Sequence, residues 1–122
     1  MSIVGKTYPN NLKVEGVKYD HGKPRMELLP TKPLEEIAKV LTFGAEKYDE
    51  WNWARGFKWS RVLGAVLRHV FSFLGGEDKD PETGLSHLAH AGCGILFILD
   101  HELNRLGTDD RRHVQLKETE TI

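Results

Sequence analysis

Apolar positions recur with a helical period in three separate stretches of the chain. In residues 31–48 they return at every third or fourth position, which gives one apolar face and one charged face. Residues 60–74 are apolar nearly all round, and residues 86–104 are apolar on one side; each carries a narrow line of His, Arg and small residues. We therefore predict an all-α fold, a compact bundle of three main helices joined by polar loops.

Residue types at the helix starts predict where two of these helices begin. Thr31 is a suitable N-cap followed by Pro33 in the first turn, and Ser60 is a suitable N-cap for the second helix. The helix that starts at Ser60 is apolar nearly all round, so we expect it to be buried together with its polar line. Because a buried charge is costly unless it is paired or bound, we expect the chemistry of the protein along that line.

The length of 122 residues is that of one domain with a modest core. We assign residues 1–16 to an N-terminal arm, residues 17–107 to the folded domain and residues 108–122 to a polar C-terminal tail. The tail lacks a face to bury, so we expect it to be frayed or to act as an arm in an oligomer. Short helices expose apolar surface that one such chain does not cover, which favours a homodimer or homotetramer.

Composition excludes several classes of protein. The net charge of −1 provides no basic surface for a nucleic-acid backbone, so nucleic acid is not an expected partner. The single cysteine, Cys93, excludes a disulfide framework and is expected to be a small core residue. The longest apolar run, residues 95–99, is far too short to cross a membrane, and no apolar leader opens the chain. We expect a cytoplasmic protein without a membrane partner.

Histidines and acids are concentrated around the loop that precedes the third predicted helix. His87 and His90 lie one turn apart, so their rings can converge on one point, and the acidic loop of residues 75–84 can fold over it. Imidazole suits Mn, Zn, Fe or Ni, and carboxylate-rich surroundings suit Mg or Mn. This spacing is not a strong metal motif by itself, so a purely structural role stays open. The candidate metal ligands are His69, Glu77, Asp80, His87 and His90.

Four cations allow two interpretations each. Arg61 and Arg68 share one side of the second predicted helix, where they either pair with the acidic loop or bind an anionic substrate such as phosphate. Lys23 and Arg25 lie in a segment stiffened by glycine and proline, which is either a solvated loop or a phosphate clamp.

All three tryptophans of the chain fall within residues 51–59. Aromatic loops of this kind often cap a small core, and the residues alone favour that interpretation. The functional alternative is that Trp53 stacks on a nucleobase while the adjacent Asn52 forms hydrogen bonds with its edge.

Several separated blocks carry a resemblance to a known family. In chain order they are KPRMELLP at residues 23–30, LTFGAEKY at 41–48, NW at 52–53, RH at 68–69, GEDKDPETG at 76–84 and HLAH at 87–90. Blocks in one order over residues 17 to about 101 are more specific than any single motif. They resemble a phage-associated family of dATP/dGTP diphosphohydrolases, which is similar in architecture to the all-α, MazG-like nucleotide pyrophosphohydrolases.

The resemblance implies a metal-dependent enzyme that converts a purine deoxynucleoside triphosphate, dATP and/or dGTP, and water to the monophosphate and pyrophosphate. The implied cofactor is a divalent metal, Mg or Mn, and the implied role is control of a phage's nucleotide pool in the host cytoplasm. Glu77 and Glu82 become candidates for the catalytic general base. Substrate binding is assigned to Lys23, Arg25, Lys47, Asn52, Trp53, Arg61 and Arg68.

The chain departs from the MazG-like pattern in its ligand residues. Those enzymes carry Glu-x-x-Glu followed by Glu-x-x-Asp on two helices, whereas the corresponding helices here carry Arg68-His69 and His87-x-x-His90. Either His and loop acids replace the carboxylates, or the substrate is held differently. The alternative function is a nucleotide-binding or regulatory module without catalysis. A small DNA-binding or phage interaction protein is a further alternative, and the near-neutral charge disfavours its DNA-binding version.

Overall fold

The fold is all-α, as the periodicity predicts. A computed structural model describes residues 15–112, so the first 14 residues of the predicted arm and the tail from residue 113 lie outside the described part. Within it there is no β-strand, only two isolated β-bridges. The three helices are α1 (Thr31–Lys47), α2 (Trp59–Leu74) and α3 (His87–Asn104), and two 3₁₀ turns span Met26–Leu28 and Asn52–Arg55.

Helix α3 is the centre of the bundle because it packs against both other helices. Small residues on α3 allow this close approach. A methyl group added to Gly94 would lie 2.5 Å from Val66 Cγ2 of α2, and one added to Gly92 would lie 2.9 Å from Ile37 Cδ1 of α1. The buried apolar core is correspondingly made of small side chains: Val66, Ala89, Ala91 and Cys93.

Both predicted N-caps are wrong, although Pro33 does lie in the first turn of α1. Thr31 is already inside α1, whose N-cap residue is Pro30 without a side-chain hydrogen bond. Helix α2 begins one residue before Ser60, so Ser60 is in its first turn. The Asp110 carboxylate instead accepts hydrogen bonds from Ser60 N at 2.8 Å and Ser60 Oγ at 2.6 Å. The group that stabilises the start of α2 thus comes from the other end of the domain.

The segment after α3 returns to the start of α2 and is held there by its backbone. Thr108 N donates to Phe57 O, and Trp59 N donates to Thr108 O, each at 3.0 Å. Gly107 has a φ of 71° and crosses so close to Phe57 O that any side chain at this position would collide with it. The first residues of the predicted tail are therefore not frayed but attached to the domain.

Helix α2 is not buried all round, contrary to the prediction. Only Val66 of this helix is buried, because α2 packs against α3 on one face. Leu67, Phe71 and Leu74 are 52%, 63% and 79% exposed, so much of its apolar surface faces outward. Oligomerisation, which would cover this surface, stays a prediction. None of the helices formed by residues 15–112 has the length and apolar character needed to cross a membrane.

Candidate functional site

Three histidines from two helices meet where α2 ends and α3 begins. His69 Nδ1 of α2 lies 2.9 Å from His87 Nδ1 of α3, within hydrogen-bonding distance. The His69 ring also stacks on His90, with a centroid distance of 4.6 Å and an interplanar angle of 11°. The predicted convergence of His87 and His90 therefore occurs around the ring of His69.

The acidic loop folds over these rings and fixes one carboxylate beside them. Asp80 Oδ1 accepts hydrogen bonds from the backbone N–H of Glu82 at 2.8 Å and of Thr83 at 3.1 Å, which closes a tight turn. This leaves Asp80 Oδ2 facing His69, 3.9 Å from its Nδ1. The loop thus delivers Asp80 to the histidine cluster.

The resulting donor set fits a divalent cation. One donor atom from each of His69, Asp80 and His87 lies within 4.8 Å of the other two. The 2.9 Å between the two Nδ1 atoms matches the separation of about 3 Å between adjacent ligands of a six-coordinate ion with bonds of about 2.1 Å. Two imidazoles and one carboxylate suit Mn, Fe or Zn. Additional oxygen ligands from the substrate would make the site suitable for Mg as well.

Glu77 binds the other side of the His87 ring. Its Oε1 lies 2.6 Å from His87 Nε2, and the His87 side chain is only 4% exposed. When Nε2–H donates to this carboxylate, the lone pair of Nδ1 is directed to the other cluster members. Glu77, predicted as a ligand and as a base, is therefore placed as a group that orients His87.

Burial and neighbouring charges set the protonation of the cluster. Burial lowers the pKa of His69 and of His90, and mutual repulsion between the imidazoles lowers it further. Burial alone would raise the pKa of Asp80, but the N–H groups of Glu82 and Thr83, together with His90 and His69, hold that pKa below its usual value. These shifts favour the neutral form of His69 and His90 and the ionised form of Asp80, which are the forms that bind a metal ion.

His90 contacts the loop rather than completing the three-donor set. Its Nε2 lies 2.7 Å from Thr83 Oγ1, and the same oxygen accepts a hydrogen bond from Leu85 N at 3.2 Å. With one face on His69 and one nitrogen on Thr83, His90 links the ring stack to the turn that carries Asp80.

A cavity of about 550 Å³ adjoins the cluster, a size typical of small-molecule sites. Its polar walls come from the loop, the histidines and the segment around the end of α1, and its other walls are mostly aromatic and aliphatic. The polar or charged lining includes His69, Asp80, Glu82, Thr83, His90, Lys47 and Asn52. The aromatic lining comprises Phe43, Tyr48, Trp51, Trp53, Phe57 and Phe97.

Comparison with known proteins confirms the resemblance that the motifs carry. Residues 13–111 match the family described as dATP/dGTP diphosphohydrolase, N-terminal. The chain belongs to this family. A protein of Salmonella phage PMBT28 named dATP/dGTP diphosphohydrolase is 45% identical over 97 residues, which are 80% of this chain and 33% of that protein. The chain thus spans about a third of the length of this relative, and no solved structure gives a significant match.

In this dATP/dGTP diphosphohydrolase family member, three of the predicted substrate residues line the cavity. They are Lys47, Asn52 and Trp53. Lys47 Nζ forms an ion pair with Glu82 Oε1 at 2.6 Å, which joins the end of α1 to the acidic loop. Glu82, predicted as a base, is thereby held at the cavity beside a positive charge.

The other predicted phosphate-binding cations are not gathered at the cavity. Arg61 lines a smaller adjoining pocket of about 400 Å³ that shares His69 and His90 with it. Arg68 is exposed. Neither Arg68 nor Arg61 forms a salt bridge within residues 15–112, so the prediction that they pair with the acidic loop is wrong for this part of the chain.

The N-terminal pair of cations lies away from the cavity walls. Lys23 and Arg25 are both exposed, and Arg25 Nε pairs with Glu27 Oε1 at 2.9 Å. The folded single chain therefore does not bring this pair to the cluster.

Trp53 has a structural contact that the sequence motif does not reveal. Its ring stacks on Phe97 of α3 at 5.5 Å, and its carbonyl accepts a hydrogen bond from His101 Nε2 at 2.8 Å. Thr83 and Trp51 line the cavity without having been predicted as site residues. The one signal for them is that each lies within three residues of a predicted site residue, Asp80 or Asn52.

Proposed function

We propose that the chain hydrolyses a purine deoxynucleoside triphosphate, dATP and/or dGTP, to the monophosphate and pyrophosphate with a divalent metal, Mg or Mn. The observation that carries this proposal is the set of two imidazoles and one carboxylate beside an aromatic cavity. Membership of the diphosphohydrolase family and the name of the phage relative support the choice of substrate.

His69, Asp80 and His87 would hold the metal through the donor atoms that face one another. When bound, a divalent ion neutralises the charge that develops on phosphate oxygens during displacement. Glu77 keeps the His87 ring in the required orientation through Nε2. His69 and Asp80 also line the cavity, so a triphosphate in the cavity would lie against the cluster.

Glu82 is the better placed of the two candidate bases. In the reaction the oxygen of water attacks the α-phosphorus, the bond from this phosphorus to the bridging oxygen breaks, and pyrophosphate leaves. The attacking water must lose a proton, and the Glu82 carboxylate lies on the cavity wall to accept it. Glu77 is already engaged with His87, which makes it less suited to this role.

Lys47 and Arg61 would supply positive charge to the phosphates. Lys47 lines the cavity and Arg61 the adjoining pocket, and both pockets share the cluster histidines. A substrate phosphate would replace the Glu82 carboxylate as the partner of Lys47, which would free Glu82 for proton transfer. Asn52, on the cavity wall, would form hydrogen bonds with the edge of the base. An enzyme with this activity in a phage would adjust the nucleotide pool of the infected cell.

The direct test is product analysis with the pure protein. Each dNTP and NTP is incubated with Mg²⁺ or Mn²⁺, and the products are separated by ion-exchange chromatography. We expect a purine deoxynucleoside monophosphate and pyrophosphate, with both lost on addition of EDTA. Release of inorganic phosphate would contradict the proposed bond, and nucleotide binding without turnover would favour the regulatory module.

A further inference from the structure

Trp51 is a large aromatic residue in a conformation that such residues rarely adopt. Its φ of 61° and ψ of 20° are left-handed, and the other non-glycine residue with positive φ in residues 15–112 is Arg105 at the end of α3. The Trp51 side chain is 68% exposed, yet it lines the cavity. An exposed side chain contributes little to the free energy of folding and does not offset the cost of a strained backbone. Strain at this position therefore points to a function.

Contacts with neighbouring residues hold the Trp51 indole in place. The ring of Trp51 meets the ring of Trp53 at a tilt of 54° and a centroid distance of 5.8 Å. Trp53 is in turn stacked on Phe97, and its carbonyl is bound by His101, the one fully buried large side chain among the described residues. Two residues one turn apart on α3 therefore fix the segment that presents Trp51.

The rings of Trp51 and Trp53 make different contacts, and this difference distinguishes the roles of the two residues. Trp53 presents a face of its ring to Phe97 in a parallel stack, whereas the tilted contact of Trp51 leaves its indole faces without a stacked partner in the described chain. A nucleobase stacks on an aromatic face, and this interaction depends on overlap rather than on the identity of the base. Trp51 offers such a face on the cavity wall, and Asn52 adjoins it in sequence.

We propose that Trp51 is the platform on which the purine of the substrate stacks, and that Trp53, Phe97 and His101 position this platform. The inference rests on the proposed function, since it takes the nucleotide as the occupant of the cavity. It changes the assignment from the sequence, in which Trp53 stacks on the base. Purines present more area for overlap than pyrimidines, so the platform favours dATP and dGTP as a class.

The test measures how much of the affinity depends on the base. Wild type, Trp51→Gly and Trp51→Phe are titrated by calorimetry with dGMP, dAMP and 2-deoxyribose 5-phosphate, which lack the bond to be hydrolysed. We expect Trp51→Gly to bind the purine monophosphates about tenfold more weakly and to bind the sugar phosphate as wild type does. Trp51→Phe should keep most of the affinity. Tyr19→Ala, which removes an exposed aromatic outside the cavity walls, is the matched control and should change neither.

Thermal unfolding of the same variants separates binding from structure. Glycine adopts a φ of 61° without strain, so Trp51→Gly should keep the Tm of wild type while it loses purine affinity. A structural tryptophan would instead lower the Tm and weaken both ligands equally, which would overturn the inference. Unchanged dGMP and dAMP affinities in Trp51→Gly would also overturn it. These failures are distinct from failure of the proposed function, which would appear as wild-type protein that releases no pyrophosphate.

Discussion

At the residue scale, three acids of one loop make different contacts around the histidine cluster. Nε2 is bound to Glu77, and Nδ1 faces His69. Asp80 faces His69 from the loop, and Glu82 lies on the cavity wall with Lys47. In the proposed mechanism Glu77 would orient His87, Asp80 would bind the metal and Glu82 would accept a proton, although all three come from one short loop.

Glutamine variants of two of these acids should fail in different ways. Glu77→Gln should weaken metal binding about 10- to 100-fold, with the rate restored by excess Mn²⁺, because it disturbs only the orientation of His87. Glu82→Gln should lower kcat about 100-fold or more at any Mn²⁺ concentration, because it removes the base. Initial rates against Mn²⁺ concentration distinguish the two. A fully active Glu82→Gln variant would exclude Glu82 as the base.

Acidification should destabilise the metal-free fold through His69 and His90. Their pKa values in the fold lie below the usual 6.5, chiefly because of burial, so the unfolded chain takes up protons first as the pH falls. The stability contributed by the neutral rings is present above pH 6.5 and is lost progressively below it. Urea unfolding in EDTA from pH 7.5 to pH 5 measures this, with the His69→Gln, His90→Gln double variant expected to depend less on pH. Stability that rose on acidification would contradict the account.

At the scale of elements, α3 carries two histidines of the candidate site in its first turn and small packing residues in its middle. Gly94 and Cys93 are buried in the middle of the helix, while His87 and His90 meet His69 at its start. The small residues allow α2 to approach α3 closely, and this approach brings His69 within reach of His87. The packing of the two helices is therefore a condition for the cluster.

Two glycine-to-alanine variants test the packing of α3 on α2. Gly94→Ala places a methyl group 2.5 Å from Val66 Cγ2 and should destabilise the fold by about 1–3 kcal/mol. Gly64→Ala, on α2, meets only Arg68 Nη1 at 3.6 Å and should stabilise the fold by up to about 1 kcal/mol through helix propensity. Denaturant unfolding at neutral pH gives both values. Equal stability of the two variants would show that the contact at Gly94 relaxes without cost.

The sequence predicts features that depend on local order and misses those that depend on distant contacts. The three helices follow from periodicity, and the cluster follows because His69, the acidic loop and His87 form one helix–loop–helix segment. The cap of α2 could not be predicted, because Asp110 is 50 residues from Ser60. The sequence predicts more burial of α2 than the structure shows, because an apolar pattern does not reveal which faces of a helix pack against another element.

The aromatic segment shows the same limit. The motif contains Trp51, Asn52 and Trp53, and all three line the cavity. The pattern does not show that Phe97 stacks on one indole and leaves the other exposed, because Phe97 is on a helix distant in sequence. Asn52 and Trp53 were thus predictable as site residues, but Trp51 and the different contacts of the two indoles were not.

At the scale of the whole molecule, the candidate site joins two regions of the fold. The α2–α3 junction and its loop supply the cluster, and the end of α1 with the segment that follows it supplies Lys47, Asn52 and most of the aromatic walls. Apolar side chains on the outer surface of α2 and α3, such as Phe71 and Leu103, are exposed over much of their area. Exposed apolar side chains of this kind are ones that an interface would cover, and the homo-oligomer stays a prediction.

The central claim is that His69, Asp80 and His87 bind the divalent ion that supports nucleotide hydrolysis. Mn²⁺ binding followed by electron paramagnetic resonance, alongside dGTP and dATP hydrolysis, tests it in wild type and Asp80→Asn. Asparagine keeps the oxygen that closes the loop turn and removes the charge, so both Mn²⁺ binding and hydrolysis should be lost while the fold persists. Asp78→Asn, on the same loop but outside the three-donor set, should keep both. Tight Mn²⁺ binding by Asp80→Asn, or undiminished wild-type hydrolysis in EDTA, would contradict the account.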